Sequence, residues 1–154
     1  MSPLLATQIT DRLAAIAEGI TTANGYPSAL GEHVIIAPLY TTPDSAPACV
    51  IVPGRQRVAY RYSLIETERD YEIKGFIDWR DHPGETEHAL VDQVIHDLRT
   101  AFAAPDATLA GLTERIVLAD DEPGYSEEGG TLIGALLRLS VHTRINPLDP
   151  SNNL

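Results

Sequence analysis

The sequence is poor in basic residues. Of its 154 residues 22 are acidic and 11 are lysine or arginine, giving a formal charge of −11, and Lys74 is the one lysine. Proteins that bind nucleic acid neutralise phosphates with lysine and arginine, so this balance argues against general DNA binding and against docking on an anionic membrane. An acidic surface suits a soluble protein, or one that DNA must pass without sticking.

Cysteine and long apolar runs are also scarce. Cys49 is the only cysteine, which excludes an intrachain disulfide and a multi-cysteine zinc site. Its apolar surroundings, residues 48–52, predict a buried strand in which cysteine acts as a small hydrophobe. No apolar run approaches the 18 residues or so of a membrane span. The first five residues carry no basic stretch, so we expect no secretory signal.

The common signatures of catalysis are missing as well. There is no G-x-S-x-G, no C-x-x-C and no glycine-rich phosphate loop with its lysine. The glycine-containing segment 124–130 lacks the basic residue that a phosphate cradle needs. The sequence therefore predicts no enzyme, no catalytic residue and no cofactor.

What is present fits one globular domain. Apolar residues make up 44% of the chain and charged residues 21%, and the length suits a single domain. We expect that domain over residues 1–145, followed by a polar tail over 146–154. Apolar residues at helical spacing from Leu5 to Ile20 predict a first helix, with Ser2 as its N-cap and Pro3 at its first position. A second helix is predicted over 86–103, with Thr86 as its N-cap.

Strand signals lie between and after these helices. Short apolar runs at 33–37 and 49–52 predict two strands. A long β-hairpin follows, because the larger apolar residues are even-numbered from Val58 to Leu64 and odd-numbered from Tyr71 to Trp79. This places a turn or bulge near Glu66–Arg69. Two more strands are predicted at 115–118 and 132–145, joined by a mobile acidic loop over 120–130. The order indicates an α+β fold: a single mixed, mainly antiparallel sheet with two helices packed on it.

One helix face carries potential metal ligands. His88, Asp92 and His96 recur at i, i+4 and i+8, a spacing that can hold zinc or nickel with His82 or Glu85 as a further ligand. The competing interpretation is the solvated polar face of an amphipathic helix, and no H-E-x-x-H motif accompanies the spacing. The acidic residues at 120–128 likewise lack the alternation of a calcium loop. We therefore predict no metal site.

Two oppositely charged patches stand out. Arg55, Arg57, Arg61 and Arg69 lie within one hairpin, whereas segment 120–128 is strongly acidic. In a ring of identical subunits a head-to-tail interface brings two different patches face to face. The predicted subunit interface consists of Arg55, Arg57, Arg61, Asp120, Asp121, Glu122, Glu127 and Glu128.

Several features in order resemble the tail terminator and tail-completion proteins of tailed bacteriophages, the lambda-type minor tail protein U family. The first helix is followed by Gly25-Tyr26-Pro27, and the last strand runs into N-P-L-D-P at 146–150. Between them lie P-A-C-V-I-V-P-G (47–54), R-D-Y-E-I-K-G-F-I-D-W (69–79) and A-L-V-D-Q-V-I-H-D-L-R-T-A-F (89–102).

The resemblance implies a structural protein without enzymatic residues. Such proteins form a ring, typically hexameric, on the end of the tail tube, where they stop polymerisation and offer a surface to head-completion or neck proteins. DNA passes through the ring, and in contractile tails the ring also meets the sheath. The location would be the virion, after assembly in the bacterial host cytoplasm. In such a ring Glu68, Asp70 and Glu72 could line the lumen.

Three alternatives remain open from the sequence. The first is a small metal-binding or enzymatic domain that uses His88, Asp92 and His96. The second is another neck or head–tail joining protein of similar fold. The third is a dimeric interaction adaptor.

Overall fold

A five-stranded mixed sheet with two helices forms the part of the chain described by the computed structural model, residues 4–37, 43–103, 113, 115–125 and 130–148. The strand order is β1-β2-β3-β5-β4, with β1 and β2 parallel and the other neighbours antiparallel. The α+β prediction is confirmed. The elements are α1 Leu5–Glu18, β1 Val34–Ile36, β2 Ala48–Arg61, β3 Leu64–Asp78, α2 Glu87–Phe102, β4 Arg115–Tyr125 and β5 Leu132–Ile145.

Both helices pack on the same face of the sheet. Odd-numbered residues of β3 and β5 point toward them, and Tyr71, Ile73, Leu137 and Leu139 are almost fully buried there. Fully burying such a side chain contributes about 1.5–3 kcal/mol, so this layer dominates the packing. The helices contribute Ile9, Leu13, Ala17, Leu90, Val94 and Leu98 to the same cluster.

Both predicted helices are present, with small changes at their ends. The first begins at Leu5, with Leu4 at the N-cap position, and ends at Glu18. The proposed cap Ser2 and Pro3 lie outside the described residues. The second helix has Thr86 at its N-cap as predicted, although the Thr86 side chain makes no capping hydrogen bond.

Two predicted strands prove to be one. The apolar run at 49–52 and the first strand of the hairpin both belong to β2, and the register shifts between Pro53 and Gln56. The sequence suggested a break at Pro53 because proline cannot donate to a strand ladder. β1 pairs only as far as Ile51, so Pro53 lies where β2 has a single strand neighbour among the described residues.

The hairpin turn lies at Tyr62 and Ser63, not near Glu66–Arg69. Both residues have positive φ angles, 51° and 66°, as a two-residue type I′ turn requires. Partners such as Val58 and Thr67 therefore pair an even-numbered with an odd-numbered residue. The change of parity is a consequence of this turn, which carries neither the Asn-Gly nor the Asp-Gly signal.

The acidic segment after Leu118 is a strand up to Tyr125, so the prediction of a mobile loop is wrong for residues 120–125. A register shift between Leu118 and Asp120 brings Asp120 opposite Arg138 on β5. Paired with an arginine, the acidic residues become compatible with a sheet. Residues 126–129, including Glu127 and Glu128, lie outside the described residues, as do 149–154 of the predicted tail.

Candidate subunit interface

The sheet face turned away from the helices carries rows of opposite charge. We call it the charged face, defined by Glu66, Glu68, Asp70 and Glu72 of β3 with Arg138 and Arg144 of β5. These residues are the even-numbered partners in the β3–β5 register, so alternation puts them all on one side. Most ion pairs on this face therefore join neighbouring strands of the same sheet.

The first row centres on Arg57 of β2. Its guanidinium donates to Asp70 Oδ2 and Oδ1 at 3.0 and 2.9 Å, and lies 2.9 Å from Glu68 Oε1. Hydrogen bonds to these two carboxylates raise the pKa of Arg57 above its ordinary value. Hydrogen bonds from Arg57 and then from the Ser140 hydroxyl lower the pKa of Glu68. These hydrogen bonds favour the charged forms of Arg57 and Glu68.

The second row centres on Arg138 of β5. Arg138 donates to Asp120 Oδ1 at 2.9 Å and to Glu122 Oε1 at 3.1 Å on β4. Its Nε also lies 3.9 Å from Glu72, and Lys74 lies 3.8 Å from the same carboxylate. The hydrogen bonds to Asp120 and Glu122 raise the pKa of Arg138.

Glu66 completes the pattern near the hairpin turn. It lies 3.2 Å from Arg144 on β5 and 3.9 Å from Arg61 on β2, so two arginines share one carboxylate. Asp121, by contrast, points to the helix side, where Arg99 of α2 donates to it at 2.8 Å.

These ion pairs show that the acidic residues of the predicted patches are already paired within their own chain. Glu68, Asp70 and Glu72 each have a cationic partner in their own chain, so the charged face is close to balanced rather than uniformly acidic. Asp120, Asp121 and Glu122 are likewise paired internally. β2 and β4 are separated by β3 and β5, so the structure does not bring the arginine patch and the acidic patch together within one chain. Their roles in a lumen or an interface stay predictions.

The end of the β2–β3 hairpin exposes large apolar side chains. We call residues 54–69 the outer hairpin; it begins at the β2 register shift and ends where Arg69 pairs with Gln56. Val58, Tyr60 and Tyr62 are 56%, 80% and 92% exposed. Beside them a groove of about 270 Å³ separates the hairpin from the start of α1. Its lining includes Leu5, Ile9, Val58, Ile65, Val141 and Ile145.

The potential metal ligands on α2 do not converge. His88, Asp92 and His96 are all exposed along the helix. Across the described parts of the chain, no three histidine, cysteine, aspartate or glutamate side chains come close enough together to hold a metal ion. Cys49 is fully buried, and burial raises the pKa of its thiol to about 12.

Sequence reasoning missed one buried acid. Asp97 is 1% exposed, and its carboxylate accepts hydrogen bonds from the backbone N–H of Ser28, at 3.0 Å, and from the Ser28 hydroxyl. The contact joins α2 to the segment that follows α1. A signal was available, because Asp97 lies in the apolar stripe of α2, three residues after Val94 and next to Leu98.

No protein-family model matches the chain, and no curated protein matches it either. Within the described ranges, no helix is long and apolar enough to cross a membrane. The likeness to tail terminator proteins therefore depends on the motifs and on the order of the elements.

Proposed function

We propose that this protein is a structural assembly protein of a tailed bacteriophage, a tail terminator or tail-completion protein. It would form a homohexameric ring at the end of the tail tube and end tube polymerisation there. Its partners would be further copies of itself, the tail tube protein, a head-completion or neck protein and, in a contractile tail, the sheath protein. The proposal assigns it no catalytic residue, cofactor or metal, and places it in the virion after assembly in the host cytoplasm.

The observation that carries the proposal is the outer hairpin. Tyr60 and Tyr62 expose large aromatic surfaces, and the nearby Val58 lines an apolar groove. Contiguous exposed apolar surface of this kind marks sites of protein–protein contact, and tyrosine is enriched among the residues that dominate binding energy. A small protein that displays one exposed tyrosine on β2 and another at the adjoining turn is therefore suited to assembly.

Charge gives a second line of support. Six copies carry a formal charge of −66, six times −11. A strongly acidic ring repels the phosphate backbone, which favours passage of DNA over its retention. On the charged face the arginines pair with carboxylates, so they are not free to bind phosphate.

The test is the molar mass of the purified protein by light scattering across a concentration series, with negative-stain images of the same sample. We expect six-fold rings. A protein that forms only two-fold dimers at every concentration would overturn the proposal and favour an adaptor.

A matched pair of variants links assembly to the outer hairpin. The double variant Val58→Ser, Tyr60→Ser should lose the rings, because it removes exposed apolar surface without touching the core. Leu148→Ser removes a similarly exposed apolar side chain, 84% exposed, outside the hairpin and should leave the rings intact. Equal assembly by both variants would show that the outer hairpin is not needed to form the ring.

A further inference from the structure

The outer hairpin is the basic part of an acidic protein. Residues 54–69 contain four arginines and two glutamates, a formal charge of +2. The rest of the chain contains seven basic and twenty acidic residues, a formal charge of −13. Arg55 has no carboxylate partner among the described residues, and Arg61 shares the Glu66 carboxylate with Arg144. Arg69 donates to the Gly54 carbonyl at 3.3 Å and lies over the ring of Tyr71. The hairpin therefore keeps positive charge that its own chain does not neutralise.

The exposed start of α2 has the opposite character. Asp81, Glu85, Glu87 and Asp92 are all exposed, and none of them lies within ion-pair distance of lysine or arginine in the described part of the chain. Asp81 and Asp92 interact with Arg80 and Arg99 only at longer range. Glu85 contacts only His82, at 3.3 Å. This acidic surface is distinct from the acidic residues of β4, whose charges arginines already balance.

The two charged regions lie at opposite ends of the molecule. The turn at Tyr62 and Ser63 precedes β3, and α2 follows its far end. Val94, in the middle of α2, lies over Gly75 of β3. Arg99, later in α2, pairs with Asp121 of β4, and Asp121 lies at the level of Ile73 of β3 because both are partners of Leu137. The helix thus runs from the Asp78 end back toward the hairpin. The 15 residues of β3 make 14 steps of about 3.3 Å, so the two ends of the strand lie about 46 Å apart.

We propose that the outer hairpin docks on the acidic start of α2 in a second copy of this chain. Separation along β3 prevents the contact within one subunit, so the complementary charges can meet only between subunits. A contact between two different surfaces of identical subunits is head-to-tail, and it produces a ring if the rotation closes or a filament if it does not. The inference rests on the proposed ring and names its subunit contact: Arg55 and Arg61 face the acidic helix start, and Tyr62 at the turn supplies exposed apolar area.

Cysteine cross-linking tests the contact directly. The double variant Tyr62→Cys, Glu87→Cys should give, on mild oxidation, a ladder of covalent oligomers that ends at the hexamer. Each single variant can give dimers at most, and Cys49 stays silent because its thiol is buried. A ladder that continues past six would support the contact and contradict the ring. A double variant that gives no more than the dimers of the single variants would overturn the contact, while rings in the images of the unmodified protein would still support the proposed function.

Charge exchange provides the second arm of the test. The variant Arg55→Glu, Arg61→Glu should raise the concentration needed for half-assembly at least about tenfold, and so should Glu85→Lys, Glu87→Lys. Combining all four substitutions should restore assembly, which general misfolding would not allow. Full assembly by the arginine variant would overturn the proposed subunit contact, while the proposed ring would still stand.

Discussion

Arg57 on β2 donates a hydrogen bond to each carboxylate oxygen of Asp70 on β3, at 3.0 and 2.9 Å. The same guanidinium reaches Glu68. Two acidic residues that the sequence placed on a bare acidic strand face are therefore held by one arginine of the neighbouring strand. A lumen lined by this face would present ion pairs to DNA rather than free carboxylates.

This arrangement predicts the titration of Glu68. In Arg57→Met the pKa of Glu68 should rise toward its ordinary value, because the largest cause of its depression is removed, and NMR titration of the side chain measures the change. A depressed pKa in the folded state stabilises the fold above the unfolded-state pKa, and this contribution is lost as the pH falls. Arg55→Met, which removes an arginine without a carboxylate partner, should leave the Glu68 titration unchanged. An unchanged pKa in Arg57→Met would show that Ser140 and His142, and not Arg57, lower the pKa of Glu68.

The helices were predictable because their apolar spacing is long and regular. The stripe from Leu5 to Ile16 and the one from Leu90 to Phe102 each repeat over several turns, and both pack as expected. Strand limits were harder to predict. Pro53 interrupts an apolar pattern without ending β2, and the turn at Tyr62 and Ser63 uses residues that rarely adopt positive φ.

The candidate interface was predictable only in part. The sequence located the arginine-rich hairpin and the acidic residues of β4, but it could not show that Arg138 and Arg99 already balance those acids. Such pairing depends on the strand register and on the side of the sheet to which each side chain points. The register shift between Leu118 and Asp120 moves the following residues of β4 to the opposite side.

Asp97 should be important for stability. Asp97→Ala leaves the backbone N–H of Ser28 buried without its acceptor, so the free energy of unfolding should fall by about 1–3 kcal/mol. Urea denaturation measures the loss. The matched control is Asp92→Ala, an exposed position on the same helix, for which a change within about 0.5 kcal/mol is expected. Similar losses in both variants would contradict a special role for the Ser28 contact.

Asp78 should make stability depend on pH in the acid range. Its carboxylate accepts from the Arg80 side chain at 2.7 and 3.1 Å and from the Arg80 backbone N–H, and chiefly the side-chain bonds lower its pKa to about 2. The stabilisation is complete above the unfolded-state value of about 3.9 and disappears as the pH falls toward 2. Asp78→Asn should therefore be less stable than the parent at pH 7, with a difference that shrinks between pH 4 and 2. Arg80→Met should show the same convergence, and a difference independent of pH would contradict the assignment.

Gly134 should tolerate no side chain. A Cβ at this position of β5 would lie 1.8 Å from the carbonyl oxygen of Gly75 on β3. Because this oxygen belongs to the backbone of a paired strand, it cannot move aside cheaply. Gly134→Ala should therefore lower the free energy of unfolding by about 1–3 kcal/mol or more, as overpacking does. The control is Gly124→Ala on the neighbouring strand, directly opposite Gly134, where the nearest atom would lie 3.7 Å away, an ordinary contact. Thermal unfolding of the two variants should separate them by several degrees, and equal melting temperatures would mean that β5 and β3 do not approach this closely at Gly134.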